Sequence, residues 1–262
     1  AEEDQVLTAS NDIADNDGMG AITYTWSNGQ TGTSITLGQS DVNNPITVTA
    51  SYTDAQGTTE SVTSSATSAV TNVNDAGTGL SLGSTDDASD PDEGDTLSVS
   101  GTLADDDGVT NANPTYLWST GDTTSSITLG QGDVVDTISV TISYTDDLGG
   151  SNTITLTADS DVDNVNDDPT GSVTISGTPT EDEVLTASND IADEDGLGSI
   201  TYTWSNGATG ASITLGQSDV GNAITVTASY TDTYGASESV TSSATTAVAN
   251  VNDAGSGLSL GS

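Results

Sequence analysis

The chain has 262 residues, of which 40 are Asp or Glu, and it contains no Lys, Arg, His, Cys or Phe. Without Lys and Arg the chain lacks the phosphate contacts of nucleic-acid binders, and anionic membrane surfaces are disfavoured. Without Cys and His it has no disulfides, and transition-metal ligation is excluded in its usual forms. No apolar run approaches the roughly 20 residues that a membrane helix needs. So many carboxylates repel one another, and Ca²⁺, a hard cation that prefers oxygen ligands, is the expected counter-charge.

Apolar and polar residues alternate with a period of two in short stretches, which predicts half-buried strands rather than helices. In the first part of the chain this holds at 22–26 and at 46–53. In the last part the pattern predicts strands near 172–177, 184–189, 200–205, 211–215, 223–231 and 237–249, and the last is long enough to bend or split in two. Six or seven antiparallel strands in about 90 residues, with one Trp on the third, predict an all-β fold of immunoglobulin-like β-sandwiches.

The sequence repeats itself along its length. Residues 7–15 return as 185–193, residues 22–29 return as 200–207, and a looser copy lies between them. The period of about 90 residues suits a string of independent domains better than the turns of a solenoid. We therefore predict tandem domains in an extended array, with modules at 1–75 (its opening strand truncated), 76–167 and 168–253, and the start of a further module at 254–262.

Three acidic motifs recur in every module. Asp-x-Asp-Gly follows the second predicted strand and contains Asp15, Asp17, Asp105, Asp107, Asp193 and Asp195. Tyr-Thr-Asp follows the sixth strand and contains Asp54, Asp146 and Asp232. Asn-Val-Asn-Asp closes each module and contains Asn74, Asp75, Asn166 and Asp167. Carboxylates two residues apart before a glycine can turn to one side of a tight loop, as calcium-binding loops require.

The expected topology brings the three motifs together at the junctions between modules. In an immunoglobulin-like sandwich the loops of the first two motifs share the end where the chain enters, and the preceding module closes at that end. One Ca²⁺ junction is therefore expected from Asn74, Asp75, Asp105, Asp107 and Asp146, and a second from Asn166, Asp167, Asp193, Asp195 and Asp232. Asp15, Asp17 and Asp54 would complete a junction with a segment upstream.

Other interpretations of these residues stay open at this stage. Asp, Asn and Gly are also common in plain turns, and the acids at 86–95, including Glu93, are interpreted as a solvated surface or a weaker ion site. Rows of Thr resemble ice-binding surfaces, although exposed strands favour Thr in any case. Paired carboxylates can hydrolyse glycosides, but the same acids repeat in every module and no Ser has a His or Lys as its base. Trp26, Trp118 and Trp204 are assigned to the cores, which leaves few aromatics for binding sugars.

The segments 177–189, 191–198 and 200–204, with Ser-Tyr-Thr-Asp at 229–232 and Val-Asn-Asp at 251–253, resemble a known group. They are similar to the tandem immunoglobulin-like or cadherin-like repeats of giant extracellular bacterial adhesins, including the RTX type. The resemblance implies Ca²⁺-rigidified extender modules at the bacterial cell surface. The chain departs from that group in having no basic residue and no nine-residue glycine-rich calcium repeat.

Together these patterns predict a non-enzymatic, calcium-stiffened spacer of a bacterial cell-surface adhesin. Its expected partners are Ca²⁺ at the junctions and the neighbouring modules of the same chain. Nucleic acid and membrane insertion are not expected. The alternative is a self-assembling structural repeat of an extracellular filament or sheath.

Overall fold

The computed structural model describes residues 1–87 and 89–252. Asp253 and the predicted start of a further module at 254–262 lie outside the described residues. Regular structure in the described part consists of strands and two 3₁₀ turns, Gln39–Asp41 and Gln131–Asp133. The strands are β1 Val6–Thr8, β2 Thr23–Trp26, β3 Ser34–Thr36, β4 Val48–Thr53, β5 Thr59–Thr63, β6 Thr78–Ser84, β7 Thr96–Ala104, β8 Thr115–Trp118, β9 Ser126–Thr128, β10 Ser139–Thr145, β11 Ser151–Thr157, β12 Val173–Ser176, β13 Val184–Asn189, β14 Thr201–Trp204, β15 Ser212–Thr214, β16 Val226–Thr231 and β17 Ser237–Thr241.

The strands form small antiparallel sheets, and the predicted all-β class is confirmed. Their orders are β1-β3 and β2-β4-β5, then β6-β7-β9 and β8-β10-β11, then β12-β13-β15 and β14-β16-β17. In the last pair of sheets, Leu185 of β13 and Val226 of β16 belong to one buried cluster. The apolar side chains of the two sheets therefore face each other, which is the arrangement of a sandwich. Among the described residues no helix is long and apolar enough to cross a membrane.

Each predicted core tryptophan is buried, which confirms that assignment. Trp26, Trp118 and Trp204 end the equivalent strands β2, β8 and β14, and none is more than 5% exposed. Their indole N–H groups donate to the carbonyls of Gly32, Thr124 and Gly210 at 2.7–2.9 Å. The indole therefore fills a core without leaving its one polar atom unpaired.

The stretch 237–249, predicted as a strand long enough to bend or split in two, is a regular strand only in its first part. Strand β17 ends at Thr241, and beyond it only isolated bridges at Val248 and Ala249 join the sheets. Ser242 Oγ accepts the backbone N–H of Val226 at 3.1 Å, and Thr245 Oγ1 accepts that of Ile224 at 3.0 Å. Hydroxyl groups that bond to the backbone in this way replace the sheet ladder. The regular strand therefore ends at Thr241.

The chain forms two compact units. Among the described residues, the first contains Ala1–Ser89, Thr96–Ile127 and Thr137–Asp159, and the second contains Asp90–Asp95, Thr128–Asp136 and residues 160–252. The division passes through the middle of the predicted module at 76–167. The module boundaries read from the repeat therefore stay a prediction.

Candidate metal centres

The Asp-x-Asp-Gly loops are tight turns in all three copies. The first Asp accepts the backbone N–H of the second at 2.8–2.9 Å through Oδ1, in the pairs Asp15–Asp17, Asp105–Asp107 and Asp193–Asp195. The following glycines have φ of +87° to +90°, the left-handed conformation that the motif predicted. One carboxylate of each loop is therefore held by its own turn, and the other is free to point elsewhere.

At the first junction, carboxylates from three distant segments converge. One carboxylate oxygen each of Glu3, Asp75 and Asp107 lie within 4.8 Å of one another. Asp107 is 3% exposed and Glu3 is 6% exposed. Asp107 Oδ2 accepts the backbone N–H of Asp75 at 3.0 Å, whereas its Oδ1 is buried without a hydrogen-bond partner. An unpaired buried carboxylate oxygen is costly unless a cation satisfies it.

Amide side chains connect the closing segment of the first module to the next sheet. Asn74 Nδ2 donates to Asn152 Oδ1 at 2.8 Å, and Asn152 Nδ2 donates to Asp146 Oδ2 at 3.0 Å. The Tyr144 hydroxyl, at the end of the same strand pair, donates to Asp105 Oδ2. All five residues expected at this junction therefore lie near one another. Their role as ligands stays a prediction.

The second junction repeats the convergence with a different third acid. One carboxylate oxygen each of Glu93, Asp167 and Glu194 lie within 4.8 Å of one another. Asp195, which is 1% exposed, accepts the backbone N–H of Asp167 at 2.8 Å. Glu194 is the middle residue of its Asp-x-Asp-Gly loop. Its side chain, longer than that of an aspartate, brings a further carboxylate to this junction.

The remaining residues expected at the second junction lie around the same strand ends. Asn166 Nδ2 donates to Glu238 Oε1 at 3.1 Å, and the Tyr230 hydroxyl donates to Asp193 Oδ2. Asp232 accepts the backbone N–H groups of Gly235 and Ala236 through Oδ1. Its other oxygen, Oδ2, is buried without a hydrogen-bond partner.

The first module carries a third cluster. One carboxylate oxygen each of Asp15, Asp54 and Glu60 lie within 4.8 Å of one another. The Tyr52 hydroxyl lies 3.0 Å from Asp15 Oδ2 and 3.1 Å from Glu60 Oε2, although it can donate only one proton. Asp17, the equivalent of buried Asp107, is exposed and lies outside this cluster.

The electrostatics of both junctions favour the arrival of a positive charge. Burial, followed by the negative charges of Asp75 and Asp107, raises the pKa of Glu3 above its ordinary value. Burial and the charge of Asp167 likewise raise the pKa of Glu93. A raised pKa means that the charged form of the carboxylate is disfavoured, here by burial and by repulsion from the neighbouring carboxylates. A bound divalent cation removes that repulsion.

Four clustered acids were not in the predicted site, namely Glu3, Glu60, Glu93 and Glu194. Of the two interpretations of the acids at 86–95, solvated surface or weaker ion site, the place of the Glu93 carboxylate in the second cluster agrees with the ion site, which stays a prediction. A signal for two of them was present, since Glu3, Glu93 and Glu181 stand four residues before Leu7, Leu97 and Leu185. The carboxylates of Glu3 and Glu181 accept the backbone N–H groups of Val73 and Val251, which close their own modules. Each opening glutamate therefore points towards the end where the next module begins.

Taken by donor set, these centres offer only oxygen atoms from carboxylates and amides. Such sets suit Ca²⁺, which takes 6–8 oxygen ligands in flexible geometry, better than transition metals that prefer nitrogen or sulfur. The Tyr hydroxyls that hold Asp105 and Asp193 would orient ligating carboxylates from outside the coordination sphere. Burial and the neighbouring aspartates raise the pKa of these Tyr side chains, so they stay protonated donors at neutral pH.

No protein-family model matches the chain, and no curated protein matches it. Among solved structures it is similar to a Ca²⁺-stabilized adhesin with which an Antarctic bacterium reaches out and binds ice. The identity there is 22% and the TM-score 0.31, over 96% of this chain and 70% of that one. For a structure of a 1.5-MDa bacterial ice-binding adhesin, the sequence identity is 16% and the TM-score is 0.30, over 94% of this chain and 90% of that one. For the extracellular cadherin domains 1–5 of protocadherin gamma B2, the sequence identity is 11% and the TM-score is 0.37, over 97% of this chain and 57% of that one. These neighbours belong to the two classes that the sequence resembles, bacterial adhesin repeats and cadherin-like extracellular domains.

Proposed function

We propose that this chain is a non-enzymatic spacer of an extracellular bacterial surface adhesin, and that Ca²⁺ bound at its two junctions makes it rigid. One observation supports the proposal above all. At each junction, carboxylates from the opening of one module, from its closing segment and from the Asp-x-Asp-Gly loop of the next lie within 4.8 Å of one another. The chain contains no Lys, Arg or His that could neutralise them.

The mechanism is electrostatic and mechanical. The closing segment of a module meets the first loop of the next through contacts such as the hydrogen bond from the Asp75 backbone N–H to Asp107 Oδ2. Without an ion, repulsion between the carboxylates opposes this contact and favours a hinged junction. With Ca²⁺ bound to carboxylates of both modules, separation of the modules requires the loss of ligands, and the junction becomes stiff.

A calcium titration of the whole chain, followed by small-angle X-ray scattering and calorimetry, tests the proposal. We expect the maximum dimension and the melting temperature to rise together at micromolar to millimolar Ca²⁺ and to fall again with a chelator. Mg²⁺ at the same concentration is the matched control, because it dehydrates reluctantly and requires octahedral geometry. A chain that binds no Ca²⁺, or that binds it without stiffening, contradicts the proposal. Fibres of constant width that form in place of stiffened monomers would favour the filament alternative.

A further inference from the structure

A glutamine occupies the same position of the same turn in all three modules. Gln39 and Gln131 begin the two 3₁₀ turns, and Gln217 is the third copy. In the first two turns an aspartate two residues later accepts the backbone N–H of the glycine just before the glutamine, at 3.0–3.1 Å. That contact closes the turn and directs no part of the glutamine amide. This contact leaves the amide available for other partners, which at Gln131 include Asn164.

At the second junction the Gln131 amide lies among carboxylates. One terminal atom of the amide lies 3.2 Å and 2.9 Å from the two carboxylate oxygens of Glu93, and 3.1 Å from Asp195 Oδ1. The other terminal atom lies 3.2 Å from Asn164 Oδ1. An amide has two orientations that exchange its oxygen and nitrogen at nearly the same positions. With the nitrogen inward, it donates to Glu93 and Asp195.

With the oxygen inward, the amide oxygen lies 2.9–3.2 Å from three carboxylate oxygens of Glu93 and Asp195. Such a group is repulsive by itself. It is also the spacing of oxygens that share one Ca²⁺ at 2.3–2.6 Å. The two orientations of one side chain therefore suit the two states of the junction, the first without an ion and the second with one.

The first junction carries an independent sign of the same arrangement. Three side-chain oxygens of the residues that correspond in the repeat to Gln131, Asn164 and Asp195 are buried without a hydrogen-bond partner, namely Gln39 Oε1, Asn72 Oδ1 and Asp107 Oδ1. Asp107 is more than nine-tenths buried. Buried acceptors in native proteins nearly always have a donor or a cation, and this chain offers no cationic side chain. Unpaired amide and carboxylate oxygens from several segments are the donor set of a calcium site.

We propose that Gln39 and Gln131 each supply their amide oxygen as a further Ca²⁺ ligand at the first and second junctions, and that the same amide turns over and donates to the carboxylates when the ion leaves. The inference rests on the proposed function, because it adds a ligand to the same junctions. A neutral ligand raises the coordination number without adding charge, which favours Ca²⁺ over the six-coordinate Mg²⁺.

The test replaces the amide by a side chain of similar length without one. Gln131→Met and Gln39→Met are compared with the wild-type chain. Gln217→Met is the matched control, because the Gln217 amide makes the same contact within its module, to Asn250, but no carboxylate cluster lies at that closing end among the described residues. Calorimetric titration with Ca²⁺ measures affinity in the whole chain. We expect each of the first two variants to weaken one class of sites roughly tenfold and the control to leave both classes unchanged.

A second measurement separates direct ligation from a structural effect. Tb³⁺ in place of Ca²⁺ reports the number of bound waters through its luminescence lifetimes in H₂O and D₂O. Loss of a protein ligand adds about one water to the ion, so Gln131→Met with Gln39→Met increases the mean hydration, and Gln217→Met does not.

Three results of these measurements would overturn the inference. If the wild-type chain binds Ca²⁺ and Gln131→Met changes neither affinity nor hydration, the amide is no ligand and the proposed function still stands. If Gln131→Met binds Ca²⁺ more tightly, the amide competes with the ion, which also overturns the inference. If the wild-type chain binds no Ca²⁺, the proposed function fails and the inference fails with it.

Discussion

The two junctions are built from the same motifs but differ in how they satisfy one buried carboxylate. At the first junction, Asn152 Nδ2 donates to Asp146 Oδ2 at 3.0 Å, so the amide N–H satisfies that carboxylate oxygen. At the second, the equivalent residue is Glu238, which cannot donate when ionised, and Asp232 Oδ2 is buried without a partner. The residue at this position of strands β11 and β17 therefore decides whether the buried carboxylate oxygen has a hydrogen-bond donor, as in Asp146, or has none, as in Asp232.

The middle residue of the Asp-x-Asp-Gly loop increases this difference. It is Asp106 at the first junction and Glu194 at the second, and only Glu194 reaches the carboxylate cluster. The second junction therefore gathers more negative charge than the first. Since calcium affinity in proteins rises with the number of charged ligands, the comparison predicts that the second junction fills at lower Ca²⁺ concentration than the first.

The largest expected effect comes from the buried acid of each loop. Asp195→Asn and Asp107→Asn keep the acceptor for the backbone N–H of Asp167 or Asp75 while removing one charge. We expect each change to weaken Ca²⁺ binding at its own junction by roughly 100-fold and to leave the other junction unaltered. In chelator the same variants should melt at a higher temperature than the wild-type chain, because a buried charge and its repulsion are gone. Calorimetric titration and thermal melting measure both effects. A loss of affinity at both junctions at once would show that they are not independent.

An exchange of residues between the strands tests the comparison directly. Glu238→Asn gives the second junction the amide of the first, and Asn152→Glu gives the first junction the carboxylate of the second. We expect Ca²⁺ affinity to fall roughly tenfold in the first variant and to rise by a similar factor in the second. When both changes are combined, the Ca²⁺ concentrations at which the two junctions fill should become more similar. If the wild-type steps already coincide, the charge difference does not set the affinity.

The sequence predicts the loops of these junctions better than their full ligand sets. Asp107 and Asp195 could be assigned because a short motif with a required glycine fixes their turn, and the order of strands fixes where the loop lies. Glu3 and Glu93 have only their common spacing before Leu7 and Leu97 as a signal. That signal is weak, because a flexible side chain in an acidic opening segment is usually solvated unless the closing segment packs over it. The same holds for Gln131, whose role depends on contacts with Glu93 and Asp195 far away in sequence.

The strands show the same division between local and distant causes. Alternation places β13 and β16 correctly to within a few residues, since each side of those strands has a constant environment. It fails after Thr241, because Ser242 and Thr245 hydrogen-bond to the backbone of the neighbouring strand through their hydroxyl groups. Ser242 stands at an inward position of the pattern and is buried, but one polar residue does not distinguish a strand from a segment whose hydroxyl groups bond to the backbone.

A smaller effect is expected from the two asparagines that close the modules. Asn74→Ala leaves Asn152 Oδ1 without its donor, and Asn152 is only 8% exposed. Asn166→Ala removes a donor from Glu238, whose carboxylate is partly exposed and regains water. In chelator we expect Asn74→Ala to lower the free energy of unfolding by about 1–3 kcal/mol, and Asn166→Ala by no more than about 0.5 kcal/mol. Calorimetric melting compares them, and equal losses would mean that burial does not distinguish the two contacts.

The smallest expected effect lies outside both junctions and shows whether the others are specific. The Ser172 hydroxyl and backbone N–H, at 2.9 Å and 2.7 Å from Asp190 Oδ1, lower the pKa of that carboxyl. A depressed pKa in the folded state contributes stability above the ordinary pKa of about 3.9, and this contribution is lost as the pH falls through the folded-state pKa. Ser172→Ala should therefore raise the pKa of Asp190 towards its ordinary value and slightly lower the melting temperature at neutral pH, but not in strong acid. Carboxyl ¹³C NMR titration measures the pKa. Since Asp190 contacts neither junction, the loss should be the same in Ca²⁺ and in chelator, and a loss that depends on Ca²⁺ would mean that charge far from the junctions also controls ion binding.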